Sequence, residues 1–242
     1  MDEKMAQILK QLRLAGLLVR WDEYVELARK KSLSPIRFLE YVLEEESKLK
    51  SENSRQLRLK RARIPELLVM ETFPFARQPK LSKKKILSLY DPFDFLLKSQ
   101  NIVWVGPTGS GKTGLATSFL IEAINRGHSG RYVLFAELVA ELYRSVADHT
   151  QEKVIRRYVS YDCLLIDEVG YVEVEPTQVG LFFTLMHKRH KKRSTLITSN
   201  LGFSEWRTFL KNDNLAAALI DRLTECSHVI NMKSCRSLRP KL

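Results

Sequence analysis

Hydrophobic residues recur at helical spacing through the first 72 residues of the chain. The repeats of three, four and five positions begin with Met5, Ile8, Leu9, Leu12 and Leu17. Such spacing is typical of amphipathic helices. Ser34 followed by Pro35 predicts the N-cap and the first position of a further helix. We therefore expect a small, all-helical N-terminal domain over residues 1–72.

Residues 73–98 differ from this pattern because they carry three prolines and a lysine triplet. The prolines are Pro74, Pro79 and Pro92, and the lysines occupy residues 83–85. Proline interrupts regular helices and strands, so a proline-rich stretch favours a connecting segment. We interpret residues 73–98 as a linker or lead-in to the domain that follows.

From residue 99 onward, short apolar runs alternate with segments of helical periodicity. Strands are predicted near residues 102–105, 132–135, 163–166, 196–198 and 229–230. Helices are predicted near residues 112–126, 137–147, 177–192 and 214–224. Alternating strands and helices indicate an α/β fold, a parallel sheet flanked by helices. Ligands bind such sheets at the carboxyl ends of the strands. We expect this domain over residues 99–242.

The first predicted strand leads directly into a glycine-rich loop. The loop reads Gly106-Pro107-Thr108-Gly109-Ser110-Gly111-Lys112-Thr113 and fits the complete G-x-x-x-x-G-K-[ST] pattern. In this pattern, backbone N–H groups and the N-terminus of the next helix form a cradle for phosphate. Lys112 is expected to reach the β- and γ-phosphates, and the Thr113 hydroxyl is expected to bind Mg2+. The loop therefore predicts a site for ATP and Mg2+.

Two carboxylates follow the third predicted strand. Asp167 and Glu168 come directly after the apolar residues 163–166, which places them at the carboxyl end of a buried strand. We expect Asp167 to hold Mg2+, directly or through water. Glu168 is expected to orient and deprotonate the water that attacks ATP.

Two further polar residues are candidates for the same reaction. Asn200 ends the fourth predicted strand and could place the attacking water, although an asparagine can also simply end a strand. Arg222 lies late in the last predicted helix. It could reach the γ-phosphate bound by a neighbouring subunit, or it could form a surface ion pair with an aspartate. Spacing alone does not choose between these roles.

The chain is strongly basic, with 40 lysines and arginines against 28 aspartates and glutamates, a formal net charge of +12. The densest basic runs span residues 48–63, 77–85 and 188–193. Such runs favour sequence-independent contact with DNA phosphates, and an anionic membrane surface is the lesser alternative. No apolar run approaches the roughly 20 residues of a membrane-spanning helix, and the first residues are acidic. We expect a cytoplasmic protein.

Four motifs, taken in order, resemble one protein family. They are GPTGSGKT at 106–113, LLIDEVG at 164–170, TLITSN at 195–200 and LIDRL at 219–223. Together they resemble the AAA+ ATPases of the DnaC/IstB branch, and within it the IstB-like transposition helper proteins of bacterial insertion sequences. The resemblance covers essentially the whole chain.

The resemblance implies a role for each motif residue. It implies Lys112 and Thr113 as the Walker A residues, Asp167 and Glu168 as Walker B, Asn200 as sensor 1, and Arg222 as an arginine finger that acts on a neighbouring subunit. It also implies a homo-oligomer on duplex DNA, a transposase of the same element as partner, and no full C-terminal helical lid. The segment 234–236 matches the family's Ser-Tyr-Arg only loosely, which leaves open whether Arg236 contacts nucleotide.

Two other functions remain as alternatives at this point. A DnaC-like replicative helicase loader would share the ATPase core and differ in its partner, so a transposase gene beside this one would favour the helper. A P-loop kinase acting on a small acceptor is a weaker alternative, because it gives Glu168, Asn200 and Arg222 no common purpose.

Overall fold

The computed structural model describes residues 1–30 and 33–239, which form two compact units. The first is Met1–Leu57 and the second is Arg58–Leu242. The boundaries at residues 72 and 98 that composition favours stay predictions. No helix in the described ranges is long and apolar enough to cross a membrane.

The first unit is helical, as the hydrophobic spacing predicts. Its helices are α1 (Glu3–Gln11), α2 (Ala15–Val19), α3 (Trp21–Lys30) and residues 35–57 of α4 (Pro35–Ala62), whose remaining residues belong to the second unit. The Ser34 hydroxyl accepts a hydrogen bond from the Arg37 N–H at 3.3 Å, so the predicted N-cap of α4 is confirmed. The buried Glu46 carboxylate accepts from the Leu17 N–H at 2.9 Å. That bond satisfies one of the unpaired donors in the first turn of α2.

The second unit contains a parallel sheet, which confirms the predicted fold class. Its strands are β1 (Asn101–Val105), β2 (Gly130–Leu134), β3 (Cys163–Val169), β4 (Ser194–Ser199) and β5 (Ser227–Asn231). Their order across the sheet is β2-β3-β4-β1-β5, and every neighbouring pair is parallel. Strand β1 lies inside the sheet, between β4 and β5, and its carboxyl end leads into the glycine-rich loop.

Helices cover the sheet. They are α5 (Lys83–Tyr90), α6 (Asp94–Leu97), α7 (Lys112–Asn125), α8 (Phe135–Ala147), α9 (Gln151–Ser160), α10 (Pro176–Arg189), α11 (Phe203–Leu210) and α12 (Asp213–Glu225). Alternate β1 residues enter different hydrophobic clusters. Val103 and Val105 pack with α8 and α10, whereas Ile102 and Trp104 pack with α6 and α7. This is the two-residue period of a strand buried on both faces.

The structure differs from the sequence-based expectation in three places. Phe135, predicted to end a strand, is the first residue of α8. The sequence pattern does not predict helices α9 and α11. The segment interpreted as a linker contains α5 and α6, and its Ile86, Phe93 and Phe95 are buried in the core. Short helices of mixed composition are stabilised mainly by the surfaces against which they pack, so the sequence pattern alone does not reveal them.

One buried arginine connects three segments of the second unit. The Arg189 guanidinium is 1% exposed. It donates to the carbonyls of Tyr158 at 2.7 Å, Tyr161 at 2.8 Å and Ser194, and to the Thr195 hydroxyl at 3.0 Å. Burial lowers the pKa of Arg189 to about 10, so the group stays charged at neutral pH. It ties the end of α9 to the start of β4.

Arg189→Met should lower the free energy of unfolding by about 3 kcal/mol, because buried carbonyls lose their charged donor. Urea unfolding followed by tryptophan emission measures the change. The matched control is Arg156→Met, since Arg156 is largely exposed and, within the described ranges, pairs with Glu152 alone; it should cost less than about 0.5 kcal/mol. Equal losses in the two variants would contradict a special role for Arg189.

Candidate nucleotide-binding site

The glycine-rich loop joins the end of β1 to the start of α7, as its motif predicts. Gly109 and Gly111 have φ values of +79° and +97°, in the left-handed region that favours glycine. A Cβ at Gly111 would lie 2.7 Å from the Phe73 ring. Both backbone conformation and close packing therefore require glycine at this position.

Lys112 is folded against the loop that carries it. Its side-chain ammonium donates to the Gly106 carbonyl at 2.8 Å and to the Pro107 carbonyl at 2.9 Å. Burial lowers the pKa of Lys112, and the charges of Asp167 and Glu168 oppose that shift. Phosphate oxygens are stronger acceptors for an ammonium than neutral carbonyls are. The position is therefore suited to binding an anion at the mouth of the loop.

Asp167 is 2% exposed, and its carboxylate accepts hydrogen bonds from three hydroxyls. Thr113 donates to Oδ1 at 3.1 Å, Thr198 donates to the same oxygen, and Tyr132 donates to Oδ2 at 2.9 Å. Burial, together with the neighbouring Asp167 charge, raises the pKa of Tyr132, which keeps the phenol protonated as a donor. The structure thus brings Thr113 and Asp167 together, as the motifs predict.

Glu168 leaves the regular strand at a β-bulge. The register between β3 and β4 shifts between Ile166 and Val169, and Glu168 has a φ of +62°. This left-handed conformation is costly for a residue with a side chain. The Glu168 N–H is held by the Thr198 hydroxyl at 3.0 Å. The bulge turns the exposed carboxylate towards the glycine-rich loop.

A cavity of about 580 Å³ lies over this loop, within the range of small-molecule sites. Its described lining includes Lys112, Thr113 and Glu168. Tyr171 also lines it and shares a 2.7 Å hydrogen bond with the Thr108 hydroxyl. A larger cavity of about 650 Å³ lies between the loop after β3 and α11, and has Tyr171 in common with the first. The smaller cavity contains the predicted chemistry, so it is the candidate site.

The C-terminal segment covers the glycine-rich loop, and the Leu238 N–H donates to the Gly109 carbonyl at 2.8 Å. Buried Gln78 donates to the Ser110 carbonyl at 3.0 Å and to the Arg236 carbonyl at 2.6 Å, and accepts from the Arg236 N–H at 3.0 Å. Arg239 lines the cavity, whereas the contacts of Arg236 with Gln78 are through its backbone. The arginine beside the nucleotide cavity is therefore Arg239 rather than Arg236.

Asn200 follows β4 but is not part of the described cavity lining. Its side-chain oxygen is buried and has no hydrogen-bond partner among the described residues. The position expected for a Cβ on Gly170 is 2.9 Å from that oxygen. Asn200 therefore packs beside the loop that follows Glu168, and its role in placing water stays a prediction.

Arg222 lies at the opposite edge of the sheet from the glycine-rich loop. It lines a crevice with Asn101 and Thr195, which are at the amino ends of β1 and β4. A five-residue strand spans roughly 15 Å, so Arg222 is remote from the cavity of its own chain. Within the described ranges it forms no ion pair with a carboxylate. The predicted alternative of an Arg222–aspartate pair is therefore wrong.

The strand order, the glycine-rich loop after β1 and the acidic end of β3 define a P-loop fold of the AAA+ type. Solved structures with this fold include DnaI, at 21% identity and a TM-score of 0.54, covering 62% of this chain and 84% of that one. The DnaC helicase loader aligns at 19% identity with a TM-score of 0.53, covering 62% and 87%.

Sequence comparison gives the family. The family model for the IstB-like ATP binding protein matches residues 7–241, and the chain belongs to this family. A protein named as the ATP-binding protein of insertion sequence IS5376 from Geobacillus stearothermophilus is 32% identical, over 96% of this chain and 92% of its own length. The corresponding protein of IS21 from Pseudomonas aeruginosa is 31% identical, over 93% and 85%.

Lys112→Ala should weaken ATP binding by about 10- to 100-fold, because it removes a charged hydrogen bond to phosphate. Titration with a fluorescent ATP analogue measures the affinity. Lys153→Ala, at an exposed position on α9, is the matched control and should bind as the unmodified protein does. Unchanged affinity in a folded Lys112→Ala protein would contradict the site.

Proposed function

We propose that this chain hydrolyses ATP to ADP and phosphate with Mg2+, assembles on duplex DNA, and assists the transposase of its insertion sequence in selecting target DNA. The observation that carries the ATPase part is the cavity that brings Lys112, Thr113 and Glu168 together beside Asp167. Membership of the IstB-like family supports the connection with insertion sequences.

The side chains of the site have different roles in ATP hydrolysis. The loop backbone and Lys112 bind the phosphates, and Glu168 orients the attacking water and accepts its proton. The Thr113 hydroxyl and the Asp167 carboxylate are hard oxygen donors 3.1 Å apart, which fits the preference of Mg2+. They would hold Mg2+, directly or through water, to neutralise charge on the phosphate oxygens. Asn200 assists in placing the water.

The location of Arg222 supports a homo-oligomer. Since it lies at the amino edge of the sheet, it can meet a γ-phosphate only on another copy of the chain. A planar guanidinium is well suited to neutralising charge spread over phosphate oxygens. Each copy then supplies Lys112 and Glu168 to one ATP and Arg222 to the next.

Exposed lysines support sequence-independent DNA contact. In the run 188–193, Lys191 and Arg193 pair with Glu225 and Asp162. Lys188 and Lys192 are exposed and form no ion pair within the described chain. Their charges are therefore available to phosphates.

A DnaC-like helicase loader is the second candidate function, because DnaI and DnaC share the fold. Those alignments cover 62% of this chain, whereas the insertion-sequence relatives match over 93% or more. Affinity capture on the immobilised protein, with the element's transposase and the host's replicative helicase offered in equal amounts, separates the two partners. Capture of the helicase alone would favour the loader.

Glu168→Gln should still bind ATP but hydrolyse it at least about a hundredfold more slowly, because an amide cannot accept the proton of water. Phosphate release measures turnover, and ATP affinity is measured in parallel. Glu173→Gln is the control, since Glu173 lies on the loop that follows β3, is largely exposed and, among the described residues, pairs with Lys211. Normal turnover in Glu168→Gln would assign the base to another residue.

DNA affinity should fall steeply with salt and depend little on sequence. If five or more phosphates are contacted, the slope of log affinity against log salt is about −4.5 or steeper. ATP should strengthen binding, because assembly multiplies contacts along one duplex. Titrations of fluorescent duplexes at several salt concentrations, with and without ATP, measure both effects.

Replacing Lys188 and Lys192 by glutamine should flatten this slope by about 1.8, one counterion contribution for each lost contact. Replacing the exposed Lys4 and Lys153, outside the three basic runs, removes the same charge and should leave the slope unchanged. An equal effect from both pairs would indicate that only net charge matters. A shallow slope in the unmodified protein would contradict the DNA role.

A further inference from the structure

The contacts of Arg222 point to residues that prepare it for its neighbour. We infer that His187, together with Phe183, is a positioning residue that holds the Arg222 guanidinium in the orientation from which it reaches ATP on the adjacent subunit. This inference rests on the proposed action of Arg222 on a neighbouring copy.

Three contacts fix the guanidinium on the surface formed by α10 and α12. The Arg222 Nε donates to His187 Nδ1 at 3.1 Å, and Nη1 donates to the Ala218 carbonyl at 2.9 Å. The guanidinium carbon lies 4.8 Å from the centre of the Phe183 ring. The Phe183 and His187 rings are nearly parallel, at 3° with centres 6.1 Å apart. The Nε and Nη1 groups and one face of the guanidinium are therefore held by its own chain.

The Nη2 group of the guanidinium is left for a partner. Nη2 has no hydrogen-bond acceptor within the described ranges, and no described carboxylate pairs with Arg222. All the groups that hold it are neutral: an imidazole, a carbonyl and an aromatic face. The guanidinium thus has no carboxylate partner among the described residues, which leaves it able to bind a phosphate from another subunit.

His187 can act in this way only as an acceptor. Because Arg222 Nε–H is a donor, Nδ1 of His187 must carry its lone pair, and the ring is neutral with its proton on Nε2. His190 performs a different task, since its Nδ1 contacts the Arg222 carbonyl at 3.0 Å and its Nε2 lies 3.0 Å from Glu225. His190 therefore fixes the backbone of α12, and His187 fixes the side chain of Arg222.

Holding the side chain matters because arginine otherwise samples many rotamers. A side chain already oriented for its partner loses less conformational freedom when the transition state forms. The effect of losing His187 should therefore be seen in turnover, while the affinity of the same chain for ATP stays unchanged.

The first test compares three substitutions under saturating ATP. His187→Leu removes the acceptor and should lower kcat by about three- to tenfold with KM unchanged. His187→Asn offers an amide oxygen near the place of Nδ1 and should retain at least half of the activity. Asp221→Asn is the control, because Asp221 is adjacent to Arg222 but forms no ion pair with it in the described structure; its kcat should not change.

The second test asks which chain needs His187. A mixture of Lys112→Ala and Arg222→Ala proteins should regain activity where an intact cavity meets an intact Arg222. Adding His187→Leu to the Lys112→Ala chain, which supplies Arg222, should lower this regained activity by the same three- to tenfold. Adding it to the Arg222→Ala chain, which supplies the cavity, should have no effect.

The outcomes distinguish the positioning role of His187 from the action of Arg222 on a neighbouring subunit. If the simple mixture regains nothing although the two proteins co-assemble, the action of Arg222 on a neighbour is wrong. If the mixture regains activity and His187→Leu is neutral on the Arg222-supplying chain, the positioning role alone is overturned. Equal losses from either chain, or an Asn variant as weak as the Leu variant, would assign His187 a purely structural role.

Discussion

The buried carboxylate of Asp167 is the constraint on which the site depends. An ionised carboxylate removed from water is costly unless hydrogen bonds replace its hydration. Three hydroxyls supply them, from Thr113 on α7, Tyr132 on β2 and Thr198 on β4. Because these donors belong to three different elements, satisfying one charge aligns the glycine-rich loop with both strands that flank β3. The hydrogen bonds that allow Asp167 to be buried are therefore the same ones that position the candidate site.

The same constraint explains why the strand is distorted at Glu168. Side chains on a regular strand alternate between the two faces of the sheet, so adjacent residues cannot both turn towards the glycine-rich loop. Asp167 keeps the regular geometry and is buried. The bulge gives Glu168 a left-handed φ of +62°, and the Thr198 hydroxyl that donates to Asp167 also accepts from the Glu168 N–H. Local strain is thus offset by the network that Asp167 requires.

The sequence predicts those parts of the site that are encoded locally. The loop at 106–113, the apolar strand ending in Asp167 and Glu168, and the parallel sheet are contiguous patterns, and the strand order places them at one edge. Gln78 could not be predicted, because it connects with Arg236 across 158 residues. The same is true of α9, whose packing depends on Arg189, and of His187, which contacts an arginine 35 residues away. These contacts depend on how elements pack, and a single sequence does not encode them as a pattern.

The arrangement of the two edges also constrains any assembly that uses Arg222. The cavity lies at the carboxyl edge of the sheet and Arg222 at the amino edge, so two copies that share one ATP must present different surfaces to each other. Such a head-to-tail contact cannot satisfy itself in a symmetric pair, because one cavity and one arginine are always left over. It closes only as a ring or continues as a helical filament. Since bound ATP would contact both chains, it stabilises the contact by mass action, and hydrolysis removes the group that joins them. In the proposed function, nucleotide state would thereby set the length and lifetime of the assembly on DNA.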